Sequence, residues 1–369
     1  MNKLEVNDDV GVPKGIQIEQ QLRAKILSGD LKAGTKLPSM LNLADQLGVS
    51  LGVVKQSLHT LTVEGLLRSV PKVGVFVSER KIVKDIALIL PTVELEQISR
   101  IIKGARSGLS ENYRLIIEAA NNSFDDQVDL LKHFNRHNAA GIILLTPPHQ
   151  MYAEKIKKLL NHDTPCVQAS LELDNLPNDS ATFDGFSMGE MAVNYLTEKG
   201  HTEIGLIDTD ADALTFVNRN HGMDTALRKI GKRYDTMPKK ISHALVNVDE
   251  PALFGRRTAI QFLKEHPELT AVIAGNGHIA LGIAEAIQEM GKTIPGDLSI
   301  LSMGIDLTAF KHMTPPMTSI DEPLETICRR AVQMLISRIE NAQQPRQSIQ
   351  FAPELHDRKS VRQIQGRNS

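Results

Sequence analysis

The sequence predicts an α/β protein in two parts, a small N-terminal domain of helices with one hairpin and a larger domain of two α/β lobes. Two observations carry this prediction. Residues 14–77 show three helical stripes followed by two short β-like runs, and from residue 85 onward short apolar runs alternate with helical patterns. The length of 369 residues suits two or three domains of ordinary size.

The N-terminal region contains three short helices and then a hairpin. The first helix has apolar residues at four-residue spacing and ends at Gly29, the second opens at Ser39, and the third has Ser50 as its N-cap. Two β-like runs follow at 66–70 and 73–77. Three short helices and a hairpin form the winged helix-turn-helix pattern.

The remainder of the chain repeats a strand and a helix. Apolar runs begin at Ile86, Arg114, Gly141 and Pro165, and a second series follows near residues 205, 244, 271 and 298. This spacing is typical of βαβ units and predicts parallel sheets covered by helices. Two such series predict two α/β lobes that are joined by crossovers and have a cleft between them, where ligands bind at the carboxyl ends of the strands.

The composition excludes several classes of protein. A formal net charge of −2 excludes a highly basic nucleic-acid coating protein, although the first 80 residues hold a mild basic excess. Cys166 and Cys328 are far apart and match no metal spacing, so we expect two buried thiols and a reducing cytoplasm. The polar N-terminus is unlike a secretory signal, and no apolar run is long enough to span a bilayer, so we expect no membrane partner.

The sequence shows no enzyme, cofactor or metal motif. A dinucleotide fingerprint, a Walker loop, a Gly-x-Ser-x-Gly elbow and a His-Glu-x-x-His pair are all absent. We therefore predict a protein that is not an enzyme and needs no cofactor. The predicted boundaries are a winged helix-turn-helix domain at 1–78, a linker at 79–84, a two-lobed α/β domain at 85–362, and a tail at 363–369.

The N-terminal domain resembles the DNA-binding domain of the gluconate-repressor (GntR) class. The matching stretches are 22–29, 34–39, 43–50, 58–66 and 74–77. An acid and several arginines usual in that class are replaced: Met40 and Leu41 follow Ser39 in place of an acid and an arginine, and Leu51 follows Ser50 in place of an arginine. Because phosphate contacts add affinity, we expect these replacements to weaken binding or to change the target.

The resemblance and the residue types together give candidate DNA contacts. A third helix that carries Lys55 and His59 could lie in the major groove, and Gln56 could read an adenine edge. A solvated helix face is the alternative for these side chains. The full set of candidates is Ser39, Ser50, Lys55, Gln56, His59, Arg68, Lys72 and Gly74.

The larger domain resembles the effector domain of the lactose-repressor (LacI) class, which is related to periplasmic sugar-binding proteins. The matching stretches are 86–91, 140–145, 200–205, 219–222, 274–282 and 314–320. The combination of both parts is similar in layout to that of bacterial arabinose repressors. The resemblance implies a small-molecule effector, most simply a carbohydrate.

Three residues are the leading candidates for effector contacts. Arg219 is predicted to begin a helix at the edge of the second lobe, where its guanidinium could bind hydroxyl or carboxylate oxygens. Asn276 suits a polyol, with a helix N-cap as the alternative, and Asp306 could accept sugar hydroxyls or simply form a turn. Further candidates around the cleft are Thr92, Asn121, Thr146, Asp184, Phe216 and His278.

These observations predict a cytoplasmic bacterial transcription regulator, a repressor that acts as a homodimer. Its two winged helices would bind a pseudo-palindromic operator, and a sugar in the cleft would change the spacing of the DNA-binding heads. Two alternatives stay open at this point. One is a ligand-binding protein whose degenerate head no longer binds DNA specifically, and the other is a sugar-modifying enzyme on the same fold.

Overall fold

A computed structural model describes residues 4, 6, 12–27, 29–78, 83–92, 97–121, 123–134, 139–145, 149–160, 164–242 and 251–364. The chain divides into two compact units, Met1–Lys84 and Asp85–Ser369. We call them the head and the effector domain, and each is described by itself. The linker at 79–84 and the tail at 363–369 remain predictions.

The head has the predicted three helices and hairpin. Its elements are α1 (Lys14–Leu27), α2 (Met40–Leu47), α3 (Leu51–Val63), β1 (Leu67–Val70) and β2 (Gly74–Val77). The two strands pair in antiparallel fashion and form the wing. The winged helix-turn-helix prediction is therefore confirmed.

The helix ends of the head follow from the local sequence. The Ser39 hydroxyl accepts a hydrogen bond from Asn42 N at 3.2 Å, and Gly48 ends α2 in the left-handed region with a φ of 62°. The Ser50 hydroxyl caps α3 in the same way. One apolar core buries Leu22, Leu58 and other side chains of all three helices.

The effector domain consists of eight helices and twelve strands within its described residues. The helices are α4 (Ile98–Gly108), α5 (Phe124–His133), α6 (Ala153–Leu159), α7 (Gly185–Glu198), α8 (Leu214–Lys229), α9 (Pro251–Glu265), α10 (Gly277–Glu289) and α11 (Leu324–Glu340). The strands are β3 (Lys84–Leu90), β4 (Tyr113–Ala119), β5 (Gly141–Leu144), β6 (Cys166–Ser170), β7 (Asp179–Phe183), β8 (Ile204–Thr209), β9 (Lys239–Ser242), β10 (Ala271–Ala274), β11 (Ser299–Gly304), β12 (Thr318–Asp321), β13 (Ser348–Phe351) and β14 (Glu354–His356).

The strands form two six-stranded sheets, one in each lobe. The first sheet has the order β13-β7-β6-β5-β3-β4 and the second has the order β14-β12-β11-β10-β8-β9. All the described pairings in both sheets are parallel except that of β14 with β12. The α/β prediction with two lobes is confirmed, and the carboxyl ends of the strands define the cleft edge of each lobe.

The chain crosses between the lobes, as the sequence predicts. After β7 it enters α7, which packs on α8 in the second lobe, and after β12 it enters α11, which packs on α4 and the first sheet. The sequence analysis did not single out β7, β12, β13 or β14. The run predicted near residue 244 lies outside the described residues.

Both cysteines are buried, as expected from the sequence. Cys166 lies in β6 and Cys328 in α11, and neither forms a disulfide. Burial raises the pKa of each thiol to about 12, so neither is a reactive thiolate at neutral pH. Among the described residues, no helix has the length and apolar character needed to cross a bilayer.

Candidate functional site

One face of α3 is exposed and carries three of the eight candidate DNA contacts. Lys55, Gln56 and His59 are all exposed, and Leu51 and Gly52 precede them on the same side of the helix. The opposite face is buried in the head core. The pattern leaves this surface available to a partner outside the head.

The other predicted contacts of the head include two that have structural roles. The hydroxyls of Ser39 and Ser50 cap α2 and α3, so each already accepts a backbone hydrogen bond. Arg68 lies over the Phe76 ring at 4.8 Å from its centroid. Lys72 is exposed in the wing turn with a φ of 63°, and Gly74 follows it with a φ of 139°. Their contacts with DNA remain predictions.

In the effector domain, Arg219 lies elsewhere than predicted. It occupies the second turn of α8 instead of beginning a helix, and its side chain is only 2% exposed. Its Nη2 donates to Asp208 Oδ2 at 2.5 Å, and its Nη1 donates to the Gly275 carbonyl at 3.3 Å. The prediction that Arg219 begins a helix is therefore wrong, and its guanidinium neutralises a buried carboxylate.

Asp208 and Gly275 belong to the same cluster. Asp208 is the last buried residue of strand β8, and Gly275 follows β10, the neighbour of β8 in the sheet. A Cβ at Gly275 would overlap the Asp208 carboxylate, so only glycine fits beside this ion pair. Burial raises the pKa of Asp208, and the charge of Arg219 opposes that shift. The Nε of Arg219 is buried without a hydrogen-bond partner and could donate to a ligand.

A second buried carboxylate lies where the lobes meet. Ser170, at the end of β6 in the first lobe, donates to Glu322 Oε2 at 3.1 Å, just after β12 in the second lobe. Burial raises the pKa of Glu322 to about 7, although the Ser170 hydrogen bond lowers it. Next to it, Arg100 on α4 holds Asp321 with bonds of 3.0 and 2.6 Å. Charged and polar contacts therefore join the two lobes.

Asp306 and Asn276 are both engaged within the protein. Arg358 binds both carboxylate oxygens of Asp306, at 2.7 and 2.8 Å, and Ser319 donates to it at 2.6 Å. Burial alone would raise the pKa of Asp306, but the hydrogen bonds from Arg358 and Ser319 outweigh it, so the pKa is lowered. Asn276 caps α10 by accepting from Ile279 N at 2.9 Å, which is the alternative considered for it.

The remaining candidates are distributed around the cleft. Asp184 caps α7 through Ser187 N, Phe216 packs edge-on against Phe183, and His278 is exposed on α10. Thr92 is buried and Asn121 is exposed, whereas Thr146 lies outside the described residues. Among the described candidates, Arg219 belongs to the Asp208 cluster, and Phe216 and Asn276 lie beside it: the guanidinium is 4.6 Å from the Phe216 ring centroid, and Asn276 adjoins Gly275.

Sequence reasoning missed Asp208, Ser170, Glu322, Arg100 and Arg358. Asp208 had a visible signal, because an acidic residue ending an apolar strand run must find a partner once buried. The other four form contacts between residues far apart in the chain, which spacing does not reveal. No group of His, Cys, Asp and Glu residues in the described part of the chain could hold a metal ion.

The chain matches two family models. Residues 15–77 match the model of bacterial regulatory proteins of the gntR family, and residues 193–361 match the periplasmic binding protein-like domain. Among curated proteins, the HTH-type transcriptional repressor PurR of Escherichia coli O1:K1 is 28% identical over 282 residues, which cover 75% of this chain and 80% of the relative.

Solved structures share the fold. CcpA of Lactococcus lactis aligns with a TM-score of 0.67 at 20% identity, over 76% of this chain and 99% of that one. A LacI family regulator of Enterococcus faecium with bound ribose aligns with a TM-score of 0.65 at 20% identity, over 76% and 100%. The regulator CelR, in complex with cellobiose, aligns with a TM-score of 0.65 at 20% identity, over 88% and 100%.

The matched family and the relatives are transcription regulators, in agreement with the prediction of a protein that is not an enzyme. The chain therefore joins a head that matches the bacterial regulatory proteins of the gntR family to an effector domain that matches the periplasmic binding protein-like domain.

Proposed function

We propose that this protein is a cytoplasmic bacterial transcription repressor whose DNA binding is controlled by a neutral carbohydrate in the cleft of the effector domain. One observation carries the proposal: a winged helix with an exposed third helix shares a chain with two α/β lobes whose strands end at a common cleft. The bound ribose and cellobiose of two structural relatives support a sugar as the effector class.

The charges at the cleft favour a neutral ligand. The guanidinium of Arg219 is already neutralised by Asp208, and Asp306 is held by Arg358. Glu322 nearby is a further buried acidic group, so among the described residues at the cleft edge these two arginines offer an anionic effector no unopposed positive charge. The unpartnered Nε of Arg219 can donate one hydrogen bond to a hydroxyl without needing a charged ligand.

Control of DNA binding requires the effector to favour one arrangement of the lobes. Arg100 with Asp321 and Ser170 with Glu322 are bonds between the lobes, so a change in lobe arrangement would stretch or break them. A sugar that binds one arrangement more tightly would shift the population toward it. We propose that this shift is transmitted to the heads of a homodimer.

A dimer on a pseudo-palindromic operator fits the small size of the head. A single winged helix buries too little DNA for tight specific binding, so two half-sites are needed. The structurally related Lac repressor was solved as a dimer. Sedimentation of the full chain should therefore give about twice 40.7 kDa, and a strict monomer that binds DNA tightly would contradict this assembly.

The effector class is tested by thermal shift of the full-length protein with a panel of neutral mono- and disaccharides and their phosphate esters. A ligand that binds only the folded protein raises the melting temperature. We expect one neutral sugar to do so, to bind in calorimetry, and to be recovered unchanged. A phosphate ester that binds more tightly than its parent sugar would overturn the neutral-effector proposal, and turnover of the sugar would indicate an enzyme.

A further inference from the structure

We propose that Leu51 and Gly52, the first two residues of α3, form a thymine-reading contact, in which the Leu51 side chain packs on a thymine methyl group in the major groove. The inference rests on the proposed DNA-binding function and adds to it the base that the head recognises. The proposal assigns a specificity-determining role to an apolar side chain on the exposed face of α3, where basic side chains are expected to contact DNA.

Leu51 is a large apolar side chain that the head does not use for its own core. It is 45% exposed, whereas Val54, Leu58 and Leu61 on the opposite face of α3 are almost fully buried. A single exposed leucine is ordinary on a protein surface. This one, however, stands at the N-terminal end of the helix that a helix-turn-helix domain inserts into the groove, and N-terminal residues of that helix contact base edges.

Gly52 gives an independent indication of a close external contact. A Cβ there would meet only Ser50 Oγ at 3.8 Å, so packing within the head does not require glycine. Its φ is not positive, so the backbone does not require glycine either. Glycine within a helix costs about 1 kcal/mol relative to alanine. A partner that approaches the helix backbone closely explains why the position lacks a side chain.

The neighbouring side chains favour DNA as that partner. Lys55 and His59 follow Leu51 at four-residue spacing on the same exposed stripe, and they place cationic or hydrogen-bonding groups beside the leucine. A docking site for an apolar protein segment would not need this arrangement. The thymine methyl is the one apolar group that the major groove presents, and it is the natural complement of an exposed leucine.

Gln56 provides a second candidate base contact on the same face of α3. It is exposed on α3 one turn after Gly52, and a glutamine amide can bond N6 and N7 of adenine. Leucine on thymine and glutamine on adenine together predict A·T pairs at the centre of each half-site. This differs from recognition by arginine, which pairs with guanine.

The test uses the full-length protein and DNA selected by it from a random pool. Each thymine of the selected half-site is then replaced by uracil, which removes only the methyl group. A buried methyl is worth about 0.8 kcal/mol, so we expect about a fourfold loss of affinity at one thymine per half-site. In Leu51→Ala, binding should be weaker and the difference between thymine and uracil should disappear.

Two further variants separate this contact from a structural effect. Val63→Ala changes an exposed apolar side chain at the far end of α3, and it should keep both the affinity and the uracil penalty of the wild type. Gly52→Ala should weaken DNA binding while it maintains or raises the melting temperature, because alanine favours the helix but holds the DNA away.

The outcomes are distinguishable from a failure of the proposed function. If the selection enriches a sequence but Leu51→Ala keeps the uracil penalty, or no thymine shows one, the thymine contact is wrong and the regulator stands. If the selection enriches no sequence, the DNA-binding proposal itself fails, and the exposed leucine belongs to an interface of another kind.

Discussion

The exposed face of α3 and the cleft edge of the effector domain place their candidate functional residues in opposite environments. On α3 the side chains of Leu51, Lys55 and His59 face outward, and the core of the head is built from the other side of the helix. At the cleft edge, Arg219 and Glu322 are buried and bonded to other protein groups. Substitutions of these outward-facing side chains of α3 should therefore change binding alone, whereas substitutions at the cleft edge should change stability as well.

The largest expected effect is that of Arg219→Ala. The variant leaves Asp208 buried without its counter-charge, and breaking a buried pair in this way costs about 3–5 kcal/mol. Urea unfolding of the full chain, followed by the transition of the effector domain, measures this loss in the free energy of unfolding.

A matched control lies on the same helix. Arg228 pairs with Asp224 in an exposed i,i+4 contact, and such pairs are worth less than about 1 kcal/mol. Arg228→Ala should therefore unfold at nearly the wild-type urea concentration. Equal stability of the two variants would show that the buried Arg219–Asp208 pair contributes no more to the free energy of unfolding than the exposed Arg228–Asp224 pair.

The next largest expected effect is a dependence of the free energy of unfolding on pH, which arises from Glu322. Its pKa is raised from 4.5 to about 7 by burial, so the folded protein keeps a proton that the unfolded chain releases. The stability from this group is present below about pH 4.5 and is lost as the pH rises to about 7, by about 3 kcal/mol at 1.36 kcal/mol per pKa unit. Glu322→Gln removes this dependence while its amide oxygen can still accept from Ser170.

Urea unfolding at pH 5 and pH 8 compares the two proteins. We expect Glu322→Gln to gain stability relative to the wild type at pH 8, and to gain much less at pH 5. Parallel pH dependence in the two proteins would show that Glu322 is not a protonated buried carboxyl group and that the contact between the lobes does not depend on its charge.

The smallest effect on stability is expected in the head. Lys55→Ala combined with Lys72→Ala should leave unfolding unchanged, because both side chains are exposed. The variant should bind the operator more weakly, and the slope of log affinity against log salt should fall by about one to two units. Lys103→Ala, an exposed lysine on α4 of the effector domain, is the control. A salt slope equal to that of the control would show that neither lysine contacts a phosphate.

The head and the effector domain also differ in how much of their structure could be predicted from the sequence. The head is specified by local signals, and the caps at Ser39 and Ser50 and the helix end at Gly48 lie where the sequence indicates them. In the effector domain, the regular alternation of apolar runs predicts the two sheets. The short strands β13 and β14 were not predictable, because their positions depend on pairing with strands far away in the chain.

The candidate cleft was the least predictable part. The sequence placed Arg219 near the end of a strand, but it did not indicate that the partner of Arg219 would be Asp208, which lies 11 residues earlier in the chain. Likewise, Arg358 reaches Asp306 from 52 residues away. A residue type suggests which bonds are possible, but only the fold decides whether the partner is a ligand or another side chain.

The most direct test is whether sugar binding in the effector domain changes the affinity of the head for the operator. Fluorescence anisotropy should measure operator affinity of the full-length protein with and without a saturating concentration of the neutral sugar identified by thermal shift. Allosteric coupling of 1–3 kcal/mol corresponds to a change of roughly 5–150-fold. We expect a change in this range. A sugar that binds in calorimetry but leaves operator affinity unaltered would contradict control of the head by the cleft.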